Sequence, residues 1–262
     1  MPATALRAAL AGAVLLMLGM PAPAHAGSGI TVTPGKIEVA IKPGAVVNVP
    51  VIVRHPDSAP SHITITAGDF TIDDAGTYTY THPAHGSLAT WLALRPREFD
   101  VAANSFQQVQ LTLLVPQREM SGEYAGVLLF QTRAPRVRGG MSISARYADK
   151  VYATVEGTGK RGGVVEHIGA TLDPQGTEHY TVVFHNSGNM HEYLNGRVDI
   201  VRNGTVLQTL PFHKNVLVER GTDRTLEVTG SRLAPAAYDV VAIIDYGGDQ
   251  RTGGKFHLET HN

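Results

Sequence analysis

The feature that most constrains this chain is its strand grammar. After the first thirty residues no sustained helical period appears. Short runs of alternating apolar and polar residues follow one another instead, broken by Gly, Pro, Asn and Asp. "AVVNVPVIVRH" (45–55) alternates after the turn Lys42-Pro43-Gly44. "SHITITAGDFTI" (61–72) follows "PDSAP", and "GTYTYTH" (76–82) follows the turn at Asp73-Asp74-Ala75-Gly76. "SFQQVQLTLLVP" (105–116) lines up Val109, Leu111, Leu113 and Val115 on one face. "GEYAGVLLFQT" (122–132) is almost continuously apolar, as a central strand covered on both faces would be. "GMSISARYADKVYATV" (140–155) alternates again. Runs at a spacing of about 8–12 residues predict an antiparallel β-sandwich of seven or eight strands.

"EGTGKRGG" (156–163) interrupts the pattern with glycine and positive charge. It reads as a hinge between domains, with a hairpin loop inside one domain as the alternative. The strand grammar then restarts in "VVEHIGATLD", "EHYTVVFHNSGN", "LNGRVDIVRNGTVLQTLP", "NVLVERGTDRTLEVTGSRL", "AAYDVVAIIDYGG" and "GKFHLE". Asn203-Gly204 between two such runs predicts a two-residue hairpin, because both residues accept the positive φ of a type I′ turn. The expected fold is all-β: two immunoglobulin-like β-sandwich domains joined by a short hinge. The expected boundaries are 27–156 for the first domain, 157–163 for the linker and 164–262 for the second. Tyr124 in "SGEYAGVLLF" and Tyr238 in "PAAYDVVAII" each precede an apolar run late in a domain. A tyrosine placed there can bond back to the preceding loop.

The first 26 residues stand outside this pattern. Arg7, the apolar run 8–20 and the small-x-small ending Ala24-His25-Ala26 form a secretory signal with expected cleavage after Ala26. The apolar run is shorter than the ~20 residues a membrane-spanning helix needs. An exported periplasmic protein is therefore expected, with display on the cell surface as a variant and no membrane span in the mature chain. The chain has no cysteine, which removes thiolate nucleophiles, Cys-type zinc sites and thiol-linked lipid. A net charge of −1 with both signs dispersed gives no basic patch for nucleic acid.

No catalytic constellation is legible. The serines form no G-x-S-x-G elbow, and no phosphate-binding loop or dinucleotide fingerprint occurs. Asp73-Asp74 reads as a solvated turn, and Trp91 as a core or edge anchor. Histidine is the residue type that invites a metal reading. His179 and His185 lie six residues apart on one strand, too far to share an ion at about 3.3 Å per residue. His185 with His191 across "NSGNM", or His82 with His85, can approach each other, but neither pair has a recognised third ligand. No cofactor and no metal are expected.

The segments "ITVTPGKIEVAIKPG" (30–44), "LRPREFDVAANSFQQVQLTLLVP" (94–116) and "GGMSISARYADKVYATV" (139–155) resemble the periplasmic pilus-assembly chaperones and related exported sandwich proteins. The second half matches that group in architecture and in "VVFHNSGN". The resemblance implies a non-enzymatic protein that protects exported fimbrial or surface subunits by donating a β-strand, a form of strand addition. It implies Met141, Ile143 and Ala145 as the side chains that fill the client's groove. It implies Lys36 and Lys150 as the pair that anchors the client's terminal carboxylate. Fimbrial or surface subunits are the implied partners, and an outer-membrane usher is left open as another. Two rival readings remain. One is a structural or adhesive module that binds cell-envelope material. The other is a periplasmic metal-binding protein using His185 and His191.

Overall fold

The computed structural model describes residues 29–118, 120–133 and 144–261. The expected signal segment and the donor positions Met141 and Ile143 lie outside the described residues. Among the described residues no helix is long and apolar enough to cross a membrane.

The first domain contains β1 (Thr31–Thr33), β2 (Ile37–Ile41), β3 (Val46–His55), β4 (Ser61–Ile72), β5 (Tyr78–Thr81), β6 (Leu92–Arg95), β7 (Glu98–Val101), β8 (Ser105–Leu114), β9 (Glu123–Arg133) and β10 (Arg146–Val155). One sheet has the order β1-β3-β8-β6. The other has the order β2-β10-β9-β4-β5, with β7 also paired to β4. β1 pairs with β3 in the first sheet. The chain then bends at Thr33-Pro34, a cis peptide, and enters the second sheet as β2. There β2 runs parallel to β10, with Ile37 opposite Val151. The Thr-Pro-Gly kink is thus the point at which one segment passes from one sheet to the other, and Lys36 is the first residue after it.

The period-two pattern explains the core, because successive side chains in a strand point to opposite faces. Val51 and Val53, Ile63 and Ile65, Val109, Leu111 and Leu113, and Val151 and Ala153 are buried in one cluster. Trp91 belongs to the same cluster, from a 3-10 turn over Leu88–Trp91.

The second domain contains β11 (Gly163–Leu172), β12 (Glu178–Asn186), β13 (Glu192–Arg202), β14 (Thr205–Pro211), β15 (Val216–Val218), β16 (Asp223–Gly230), β17 (Ala237–Asp245) and β18 (Thr252–Glu259). Its sheets are β11-β12-β16 and β14-β13-β17-β18, with β15 on β13. Tyr180, Phe184, Val198, Ile200, Val240, Ala242 and Ile244 form its core. Asn203 and Gly204 take φ of 51° and 78°, as the hairpin reading requires. Tyr238 Oη donates to the Ala234 carbonyl at 2.8 Å, the expected bond back to the preceding loop. Tyr124 does something else: its ring packs on Trp91 with centroids 4.8 Å apart.

β10 ends at Val155 and β11 begins at Gly163, so the connection is short. It is also tied down. Lys160 N donates to Asn189 Oδ1 at 2.7 Å, Gly162 N to Glu192 Oε1 at 2.8 Å, and Asn189 Nδ2 to the Thr158 carbonyl at 3.0 Å. Glycine-rich composition suggests a loose tether. The loop of the second domain that precedes β13 supplies the partners that fix it.

Candidate functional site

β2 and β10 place the two lysines. In the parallel register Ile37 faces Val151, so Lys36 and Lys150 each stand one residue before that pair. Ile37 and Val151 point into the core. By alternation, Lys36 and Glu38 on β2, and Lys150 and Tyr152 on β10, leave on the opposite face. That face meets the second domain.

Neither lysine is bare. Lys36 Nζ donates to Glu38 Oε1 at 2.6 Å and to Tyr193 Oη at 2.6 Å, and it lies 4.3 Å from the centre of the Tyr193 ring. Partial burial works against the Lys36 charge, but Glu38 and then Tyr193 hold its pKa above the ordinary lysine value. Burial likewise opposes the charge of Glu38, yet Lys36, with His191 and Tyr193, holds that carboxyl below its usual range. Lys150 Nζ donates to Tyr78 Oη at 2.8 Å and sits 4.7 Å over that ring.

Between the lysines and the second domain lies a buried polar contact. His191 Nδ1 is 2.8 Å from Glu123 Oε2, and its Nε2 is 3.0 Å from Glu38 Oε1. The His191 backbone N–H also donates to Glu123 Oε1 at 2.9 Å. The His191 ring stacks on Tyr152, with centroids 4.0 Å apart. Tyr152 Oη donates to Glu219 Oε1 at 2.6 Å. Burial raises the Glu219 carboxyl above its ordinary value, although the Tyr152 hydroxyl offsets part of this. Lys36, Glu38, Glu123, Lys150 and Tyr152 come from the first domain. His191, Tyr193 and Glu219 come from the second. Of these, Glu123, Tyr152 and His191 are buried, and polar groups so buried are tolerated because they satisfy one another.

β10 also carries the one donor-strand candidate that is described. Ala145 N donates to Thr132 Oγ1 at 3.1 Å, and its carbonyl accepts from Thr132 N at 2.9 Å, which extends the pairing with β9. On the other side β2 covers only Val151–Val155. Among the described residues no strand pairs with β10 on that side before Val151. Among the described residues the amino-terminal half of β10 therefore has a strand neighbour on one side only, β9.

The family resemblance named the lysines, and the sequence offered His191 only as a partner for His185; Glu38, Glu123, Tyr152, Tyr193 and Glu219 were not singled out. Glu38, Glu123, Tyr152 and Tyr193 lie on strands, whereas His191 and Glu219 lie just outside them. The histidine pairing considered earlier does not form. His191 has both ring nitrogens engaged at the domain contact. His185 stands on the outer face of β12, with Nδ1 2.6 Å from Asp223 Oδ1.

No protein-family model and no curated protein matches the chain. Solved structures do. The chain is similar to the class 5 fimbriae chaperone CfaA at 11% identity, covering 89% of this chain and 100% of that one, with a TM-score of 0.49. It is similar to the chaperone SafB in its complex with the Salmonella enterica pilin SafA at 14% identity, covering 88% and 96%, with a TM-score of 0.48. It is similar to the CsuC–CsuE chaperone–tip subunit complex from the archaic Csu pili of Acinetobacter baumannii at 11% identity, covering 87% and 97%, with a TM-score of 0.48.

Proposed function

We propose that this chain is an exported, non-enzymatic chaperone-like protein that receives a fimbrial or surface subunit along the edge of β10. One observation carries the reading. The half of β10 that has β9 on one side and no described strand on the other runs directly into a register position at which Lys36 and Lys150 stand side by side, on the face that meets the second domain.

The physics of the two features agrees. An unpaired edge is a template for another strand and is a hazard unless something covers it. A subunit lacking one strand has the complementary defect, so pairing removes both. Main-chain bonds along β10 would give affinity, and alternate side chains, with Met141, Ile143 and Ala145 as the candidates, would enter the groove. The lysines would fix where the client's chain ends. An ammonium has three donors. Lys36 spends two on Glu38 and Tyr193, and Lys150 spends one on Tyr78, so each retains a donor for a terminal carboxylate. A charge-assisted bond of this kind contributes about 1.5–3 kcal/mol, and it sets register.

The test is co-purification from the periplasmic fraction of the native host. Wild type is expected to carry a stoichiometric, small, β-rich exported subunit. Lys36→Glu combined with Lys150→Glu is expected to lose it while keeping the wild-type circular dichroism spectrum and thermal midpoint. A folded double variant that keeps the same subunit, or a wild type that carries none, would overturn the reading. If the double variant misfolds, Lys36→Gln with Lys150→Gln serves the same comparison.

A further inference from the structure

The three-stranded sheet of the second domain holds a cluster that the cleft does not use. On β12 the even-numbered residues from Glu178 to Asn186 are buried, so His179, Thr181, Val183 and His185 face outward. His185 is directly opposite Asp223 on β16 and opposite Val164 on β11. The β11 register slips between Val165 and His167, and the extra residue is Glu166. A bulge places two successive residues against one partner residue and re-aims a side chain. Here Glu166 and His167 are both exposed, whereas Ile168 returns to the core. The slip brings Glu166 to the end of the sheet where His185 and Asp223 already face each other. One ligand atom from each of Glu166, His185 and Asp223 lies within 4.8 Å of the others.

We propose that Glu166, His185 and Asp223 bind a divalent transition-metal cation. Three lines of chemistry support this. The donor set is one imidazole nitrogen and two carboxylate oxygens, a set that suits zinc and its neighbours, whereas magnesium and calcium take oxygen alone. The charge is unbalanced: among the described residues neither Glu166 nor Asp223 is ion-paired with a lysine or arginine. In the cleft, by contrast, the carboxylate of Glu38 is met by Lys36. The geometry is also within reach. Ligand atoms on a tetrahedral zinc with bonds of about 2.0–2.2 Å sit roughly 3.5 Å apart. His185 Nδ1 and Asp223 Oδ1, now 2.6 Å apart, would have to open and Glu166 to adjust, and all three side chains are exposed or half-buried. Three protein ligands leave a fourth position for water. The cluster shares no residue with β10 or the lysine pair, so its test is independent of the strand-addition reading.

Zinc is the probe. The mature chain, without a histidine tag, is titrated with zinc chloride by calorimetry, with magnesium chloride as the control. One zinc per chain at micromolar affinity and no magnesium binding are expected. His185→Ala is expected to weaken zinc binding by about tenfold or more, and Glu166→Gln and Asp223→Asn each to weaken it measurably. Cobalt bound in place of zinc is expected to give the visible spectrum of a low-coordinate nitrogen and oxygen site, and His185→Ala to abolish that spectrum. Zinc affinity no better than millimolar, or affinity unchanged in a folded His185→Ala protein, would overturn the proposal. The second outcome would assign the ion to other histidines of the chain.

Discussion

Glu38 stands beside the lysine to which the proposed function assigns a client's carboxylate. It accepts from Lys36 and from Tyr193, and His191 Nε2 lies 3.0 Å away on its other flank. Under that proposal an incoming carboxylate would have to share Lys36 with Glu38. Lys36 and Lys150 were singled out only through the family resemblance, which placed them before "IEVAI" and "VYATV". The sequence left Glu38 unread because its partners arrive from more than a hundred residues away. Glu192, next to His191, gives a prediction at this scale. Its side chain is fully buried, its Oε1 accepts from Gly162 N, and burial pushes its carboxyl up to about 7 from an ordinary 4.5. A raised carboxyl favours the neutral form in the fold. Stability is therefore fullest below about pH 4.5 and falls as pH rises through about 7, by up to ~3 kcal/mol. Glu192→Gln is expected to raise the thermal midpoint at pH 8 and to converge on wild type below pH 5. A midpoint difference that does not change with pH would refute this assignment.

At the scale of elements, the runs that alternate without interruption were readable, and the devices that break alternation were not. The β13–β14 hairpin followed from two residues, since Asn203-Gly204 is one of the few pairs that accept positive φ twice. Gly204→Ala isolates that requirement, because a Cβ there would meet nothing within 4 Å. The expected cost is about 1–2 kcal/mol, all of it conformational, read as a lower urea midpoint at unchanged m-value. A variant as stable as wild type would show that the hairpin tolerates another turn. The Glu166 bulge had no such signature. "VVEHIGATL" reads as an ordinary alternating strand, and the slip becomes visible only against the pairing of β12. The passage of one segment from β1 to β2 was marked by Thr-Pro-Gly, but its meaning depended on which strand waited on each side.

At the scale of the molecule, the two sandwiches were legible and their mutual grip was not. Glycine and arginine in the connection suggest freedom, whereas His191, Tyr193, Glu219 and Asn189 bind the first domain at close range. Asp74 on the loop between β4 and β5 adds a further contact, accepting from Thr225 N at 2.9 Å. His191→Ala would leave Glu123 buried beside an empty space, and removing one member of a buried polar pair costs about 3–5 kcal/mol. Calorimetry of that variant is expected to resolve two unfolding transitions where wild type has one, with faster proteolysis at residues 156–162. A single transition at the wild-type midpoint would show that the domains are coupled elsewhere. A last consequence lies in β10. Its carboxyl-terminal half is the sole described strand partner of β2, and its amino-terminal half has β9 as its sole described strand partner. Among the described residues β2 therefore has no strand partner until almost the whole first domain has been made. In a chain that emerges amino end first, β2 waits for the strand made last in the first domain. The edge on which the proposed strand addition depends would therefore exist only once that sandwich is finished, and a half-built molecule would have none to offer.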